Sequence, residues 1–151
     1  KMPTIKLLFF LFKYQRKLTK EIENVKTFDN LHDVLLELKK NGVDLGIVTS
    51  NAKVNVKKFL KNNNLDMFDF IYSSIDYFHK NKMLERAVRK YGMDKKNVIY
   101  VGDEIRDIKA AKEAGLRIAS VTWGYNFESV LVTYNPDFII NQPKDLLNSF
   151  K

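Results

Sequence analysis

Two patterns of apolar residues alternate along the chain. Short, nearly unbroken apolar runs recur at Leu45-Gly46-Ile47-Val48, Phe70-Ile71-Tyr72, Val98-Ile99-Tyr100-Val101, Ile118-Ala119-Ser120-Val121 and Phe138-Ile139-Ile140. Runs of this length suit strands covered on both faces. Between them, apolar residues three and four apart predict amphipathic helices starting near Lys53, Lys80, Glu104 and Phe127, with a last one near Pro143. Ahead of the first strand, Leu31, Val34, Leu35 and Leu38 predict a helix from about Asn30, capped by Asp29 or Asn30 and stopped at Asn41-Gly42. Residues 5 to about 25, apolar at Ile5, Leu8, Phe9 and Phe12 and basic between, predict a further long helix.

Strands that alternate with helices of this size require right-handed crossovers and a parallel sheet with helices on both sides. The expected fold class is therefore α/β, doubly wound and Rossmann-like. Ligands of such sheets gather beyond the carboxyl ends of the strands, which directs attention to the loops that follow each apolar run.

The chain has 151 residues, of which 45% are hydrophobic and 29% charged. That length and balance predict one folded core in water rather than a disordered or fibrous chain. Cysteine is absent, which excludes disulfides, thiolate metal sites and a cysteine nucleophile and fits a reducing, cytoplasmic setting. The formal charge of +8 favours phosphate-bearing partners. Nucleic acid is not expected, because the lysines are scattered through amphipathic helices without aromatic-interleaved basic strands. Residues 7–12 are apolar but lie between Lys6 and Lys13, far short of the ~20 residues a membrane span needs. No small-residue cleavage site follows them, so they predict a face packed on protein rather than a membrane anchor or signal. Lys1 precedes Met2, so the chain does not open on an ordinary initiator.

Three loops carry candidate chemistry. Thr49-Ser50-Asn51 joins the first strand to a helix, placing two hydroxyls and an amide where unpaired N–H groups and the helix dipole favour an anion. The same residues would also serve as an ordinary cap. Lys80 stands at a helix start, where a cation opposes the dipole unless an anion is near; Lys82 could take the same role, and either could be a solvated surface lysine. In Val101-Gly102-Asp103-Glu104-Ile105-Arg106-Asp107, a strand ends in Gly and then carboxylates. Asp103 and Asp107, four apart, share one helix face and could hold Mg²⁺, a hard cation that keeps waters and shares substrate phosphate. Capping explains Asp103 alone as well, but the pair less well.

Taken in order, these loops resemble the haloacid dehalogenase-like hydrolases, of the phosphoglycolate phosphatase type. The run ending in Thr49-Ser50-Asn51 looks like that family's second motif, Lys80 like its third, and Val98-Ile99-Tyr100-Val101-Gly102-Asp103-Glu104-Ile105-Arg106-Asp107 like its fourth. Ala110-Ala111-Lys112-Glu113-Ala114-Gly115 and Val121-Thr122-Trp123-Gly124-Tyr125 extend the likeness, which covers about residues 28 to 150. The resemblance implies a Mg²⁺-dependent phosphatase acting through a phosphoaspartyl intermediate on a small phosphorylated metabolite. Thr49, with Ser50 and Asn51, would bind the phosphoryl group, Lys80 would neutralise it and hold the nucleophile, Asp103 would ligate Mg²⁺ and Asp107 would support the metal shell. Residues 1–26 would be the returning end of a helical cap, and residues 27–151 the core.

One departure matters: the family's first motif, Asp-x-Asp after a strand, occurs nowhere in the 151 residues. The resemblance places it upstream of Lys1, on a strand lying between the strand before Thr49 and the strand before Asp103. Without that segment the chain is expected to be inactive. Two other readings compete: a non-catalytic domain of the same fold that binds a ligand or partner, and a receiver-like switch.

Overall fold

A computed structural model of the protein describes residues 22–74 and 79–148. The predicted cap segment, including the apolar face of residues 7–12, therefore lies outside the described residues. Where the predicted long helix should end, Ile22–Asn24 forms a single 3-10 turn and Val25 already lies in a loop.

Among these residues, five strands and five α-helices follow in strict alternation. Helix α1 is Leu31–Lys40, strand β1 Gly46–Thr49, helix α2 Lys53–Asn62, strand β2 Phe70–Ser73 and helix α3 Lys80–Lys90. Then come strand β3 Ile99–Gly102, helix α4 Ile105–Glu113, strand β4 Arg117–Val121, the short helix α5 Glu128–Leu131 and strand β5 Phe138–Ile140. The element predicted at Pro143 is the 3-10 helix Pro143–Leu147 rather than an α-helix.

The four longer helices end alike: Gly42, Asn64, Gly92 and Gly115 take positive φ one residue past the cap. The next N–H reaches back into the last turn, as from Val43 to the Leu38 carbonyl at 3.1 Å. That left-handed residue is what turns each helix toward its next strand.

All strand pairs are parallel, but they form two sheets among the described residues: β1 pairs with β2, and β3 with β4 and β4 with β5. No ladder joins β1 to β3. The sheets are held in one body by helices instead. On one face, Leu35 of α1 packs both against Val56, Leu60 and Leu65 beside β1–β2 and against the cluster of Val34, Leu38, Ala119, Val121 and Ile140. On the other, Val48 of β1 packs with Leu84 and Val88 of α3, which also meet Ile108, Ala111 and Ile118. Alternate residues of β4 thus serve opposite layers, Ile118 on one side and Ala119 on the other, as a doubly covered parallel strand requires.

Candidate functional site

The carboxyl end of β3 is built around one buried carboxylate. Asp107, 2% exposed, lies in the first turn of α4, and its two oxygens face different neighbours. Oδ2 accepts the backbone N–H groups of Asp103 and Glu104, each at 3.1 Å. Oδ1 pairs with the Lys80 ammonium and accepts the Tyr100 hydroxyl at 3.4 Å. A charge this deep is tolerated because it is paired and hydrogen-bonded. Gly102 makes the approach possible, since a Cβ there would stand 2.5 Å from the Asp107 Cβ.

Asp103 is held from the opposite side. Its Oδ2 accepts the Tyr125 N–H at 2.7 Å, and its carbonyl accepts the Asn126 N–H at 3.1 Å. The Asn126 side chain in turn accepts the Ile105 N–H at 3.1 Å. The loop after β4 is therefore clamped to the loop after β3. Gly124 lies so close that a Cβ would come within 2.2 Å of Asp103 Oδ2. The second oxygen of Asp103 has no hydrogen-bond partner among the described residues. Glu104 is occupied elsewhere, by Arg106 at 2.6 and 2.7 Å.

These facts bear on Mg²⁺. Among the described residues no three acidic or imidazole side chains cluster as a ready-made cage, and Asp107 is already fully engaged. Asp103 still offers one free oxygen at a strand end, the kind of single hard ligand that suits a cation retaining several waters. The donor set is compatible with Mg²⁺, for which Asp103 would be the carboxylate in contact and Asp107 its support.

Lys80 is the lysine at this edge. Its ammonium touches Asp107 and lies 5.6 Å from the centre of the Tyr100 ring, which offsets the unfavourable helix dipole. The Lys82 ammonium makes a 3.9 Å surface pair with Glu85. Burial pushes the Tyr100 phenol well above its ordinary pKa, and the Asp107 charge adds to it.

The third loop, after β1, holds itself. The Thr49 hydroxyl accepts the Asn51 N–H at 3.0 Å, Asn51 Oδ1 accepts from Ala52 and Asn55, and the Ser73 hydroxyl donates to the Asn51 carbonyl at 2.7 Å. The N-cap of α2 is Ala52, with no side-chain cap bond. Thr49, Ser50 and Asn51 therefore do not cap α2 by a side-chain bond. Among the described residues, no hydrogen bond or ion pair joins Thr49 to Lys80 or Asp103. The two groups are related through α3, which packs on both β1 and α4.

Tyr100, Gly124, Tyr125 and Asn126 were not singled out by the sequence as parts of this site. For Gly124 and Tyr125 the signal was the position of Trp123-Gly124-Tyr125 just past a strand's carboxyl end.

Residues 2–121 match the family model of the haloacid dehalogenase-like hydrolases. The chain belongs to that family. Among curated members, it is 34% identical over 140 residues to the phosphoglycolate phosphatase of Synechococcus elongatus, covering 92% of this chain and 66% of the relative. It is 33% identical over 129 residues to pyrophosphatase PpaX of Bacillus cereus, covering 83% and 60%. The chain thus spans about three-fifths to two-thirds of the length of these relatives. A solved haloacid dehalogenase-like family hydrolase from Streptococcus pneumoniae superposes with a TM-score of 0.80 at 28% identity, over 87% of this chain and 63% of that one. The α/β haloacid dehalogenase-like fold expected from the sequence is the fold found. No described helix is long and apolar enough to cross a membrane.

Proposed function

We propose that this chain is the core of a Mg²⁺-dependent phosphatase that acts on a small phosphorylated metabolite, as its likeness to phosphoglycolate phosphatases suggests. The observation that carries the reading is the Lys80–Asp107 pair beside Asp103: a cation and a free carboxylate oxygen at one strand end suit a substrate that is itself an anion with a counter-ion.

In this reading Lys80 neutralises the phosphoryl group, and Thr49, Ser50 and the first turn of α2 bind its oxygens. Asp103 would hold Mg²⁺, which supplies charge compensation on the phosphoryl oxygens when bound. The nucleophile belongs to an Asp-x-Asp segment upstream of Lys1, on a strand that fills the slot between β1 and β3. Its first carboxylate attacks phosphorus as the ester oxygen leaves with a proton from the second. Water, deprotonated by that second carboxylate, then attacks phosphorus, releases phosphate and regenerates the first. The setting expected is the cytoplasm.

The deciding experiment measures Mg²⁺-dependent hydrolysis of an aryl phosphate by residues 1–151 and by a version extended upstream. Negligible activity in the first and clear activity in the second is the expected result. Equal activity in both would place the nucleophile within residues 1–151 and end this mechanism. The absence of Asp-x-Asp from these residues favours one other reading, a non-catalytic ligand-binding domain; it predicts that neither version hydrolyses the ester.

A further inference from the structure

We propose that Tyr100 is a positioning residue for Lys80, holding its ammonium through the ring face and through the shared Asp107 oxygen so that it points to the open edge of the site. The inference rests on the reading of Lys80 as the phosphate-neutralising residue.

Three observations converge. The Lys80 ammonium lies 5.6 Å from the Tyr100 ring centre, within the range of a cation–π contact. The Tyr100 hydroxyl donates at 3.4 Å to Asp107 Oδ1, the same oxygen that Lys80 uses. The other oxygen of Asp107 is fixed by the N–H groups of Asp103 and Glu104. The carboxylate therefore cannot turn both oxygens toward Lys80, and the ring blocks one side of the ammonium. An ammonium has three donors; with one spent on Asp107, the others are left for an incoming anion. The Lys80 side chain is 26% exposed, so it remains reachable. Lys82, by contrast, lies over no ring among the described residues and is 57% exposed.

The arrangement separates two contributions. The ring places Lys80, and the hydroxyl steadies Asp107. Tyr100→Phe keeps the first and removes the second, whereas Tyr100→Leu removes both.

The test uses NMR on the 151-residue chain, with inorganic phosphate as the probe. Ring current should shift the Lys80 ε-methylene protons upfield in the unsubstituted protein, an observation that needs no variant to fold. The shift should persist in Tyr100→Phe and vanish in Tyr100→Leu. Phosphate affinity should fall about tenfold in Tyr100→Leu and in Lys80→Ala, but no more than about threefold in Tyr100→Phe. An unshifted Lys80 in the unsubstituted protein would overturn the proposal. So would Tyr100→Leu binding phosphate as tightly as the unsubstituted chain while Lys80→Ala does not, or Phe and Leu losing affinity equally. If Lys80→Ala binds phosphate normally, the phosphate-site reading itself fails, and this inference falls with it.

Discussion

Strands β3 and β4 are neighbours in one sheet and carry similar apolar runs, yet they are sealed to different degrees. In β4, Ile118, Ala119 and Ser120 are fully buried and Val121 is 7% exposed. In β3, Val101 is 43% exposed, and Ile99 and Tyr100 are only partly covered. Strand β1, in the other sheet, is likewise nowhere fully buried. The difference follows pairing, not composition: among the described residues β4 has a strand on each side, whereas β3 and β1 each have one. Hydrophobicity makes a strand burial-competent, and neighbours decide whether it is buried.

The largest effect should come from the sealed strand. Ile118→Ala should cost about 4 kcal/mol of stability in chemical denaturation, as large-to-small changes in close-packed cores do, whereas Val101→Ala should cost under about 1 kcal/mol. Similar costs at both positions would mean that β3 is as enclosed as β4.

Next is the polar core of the β3 end. Asp107→Ala strands the Lys80 ammonium, the Tyr100 hydroxyl and two backbone N–H groups at once, and should cost about 3 kcal/mol by the same measurement. A neutral outcome would show that this cluster is not structural.

Gly124→Ala sharpens the contrast by acting through the loop. Its Cβ would meet the Asp103 carboxylate at 2.2 Å, so the loop or the carboxylate must shift, at about 1 to 3 kcal/mol. Mg²⁺ affinity, followed by Mn²⁺ competition, should fall with it; unchanged affinity would remove Asp103 from the metal site proposed for it.

The smallest effect belongs to the β1–β2 half. Its start is tied to α1 by Asp69, which bonds Lys39 at 2.8 Å and the Leu45 N–H at 2.7 Å. The Lys39 bond, then the Leu45 bond, hold the Asp69 carboxyl below its ordinary value. A depressed folded pKa means stability that is present above the ordinary aspartate range and lost as pH falls through the lowered value. Asp69 is substantially exposed, so the loss should be slight. Thermal melts of Asp69→Asn should show a shallower decline below that range than the unsubstituted chain; identical profiles would deny the contribution.

The alternation of strands and helices was legible because the apolar spacing switches from continuous runs to a helical period. Lys80 and Asp103 were legible as neighbours of one edge because each follows from a position at a strand end. The part Tyr100 plays was not, since its ring meets Lys80 only once β3 and α3 are packed. Gly124 and Asn126 escaped for the same reason: their partners lie about twenty residues away and obey no local period. The helix predicted at Phe127 keeps only the four α-helical residues of α5, because it tightens into a 3-10 turn, Val132–Tyr134, that Asn135 ends in a left-handed conformation ahead of β5.

The clamp on Asp103 divides labour within one loop. The carboxylate is oriented by the main-chain N–H of Tyr125 and the Asp103 carbonyl is held by that of Asn126, while Tyr125 and Phe127 stand 78% and 80% exposed. Every amino acid except proline supplies the same N–H, so substitutions at Tyr125 can change what the rim touches without changing how Asp103 is held. Such a loop can drift toward new small molecules while the carboxylate beneath it stays in register, which makes the rim, rather than the strand ends, the cheap place for specificity to evolve.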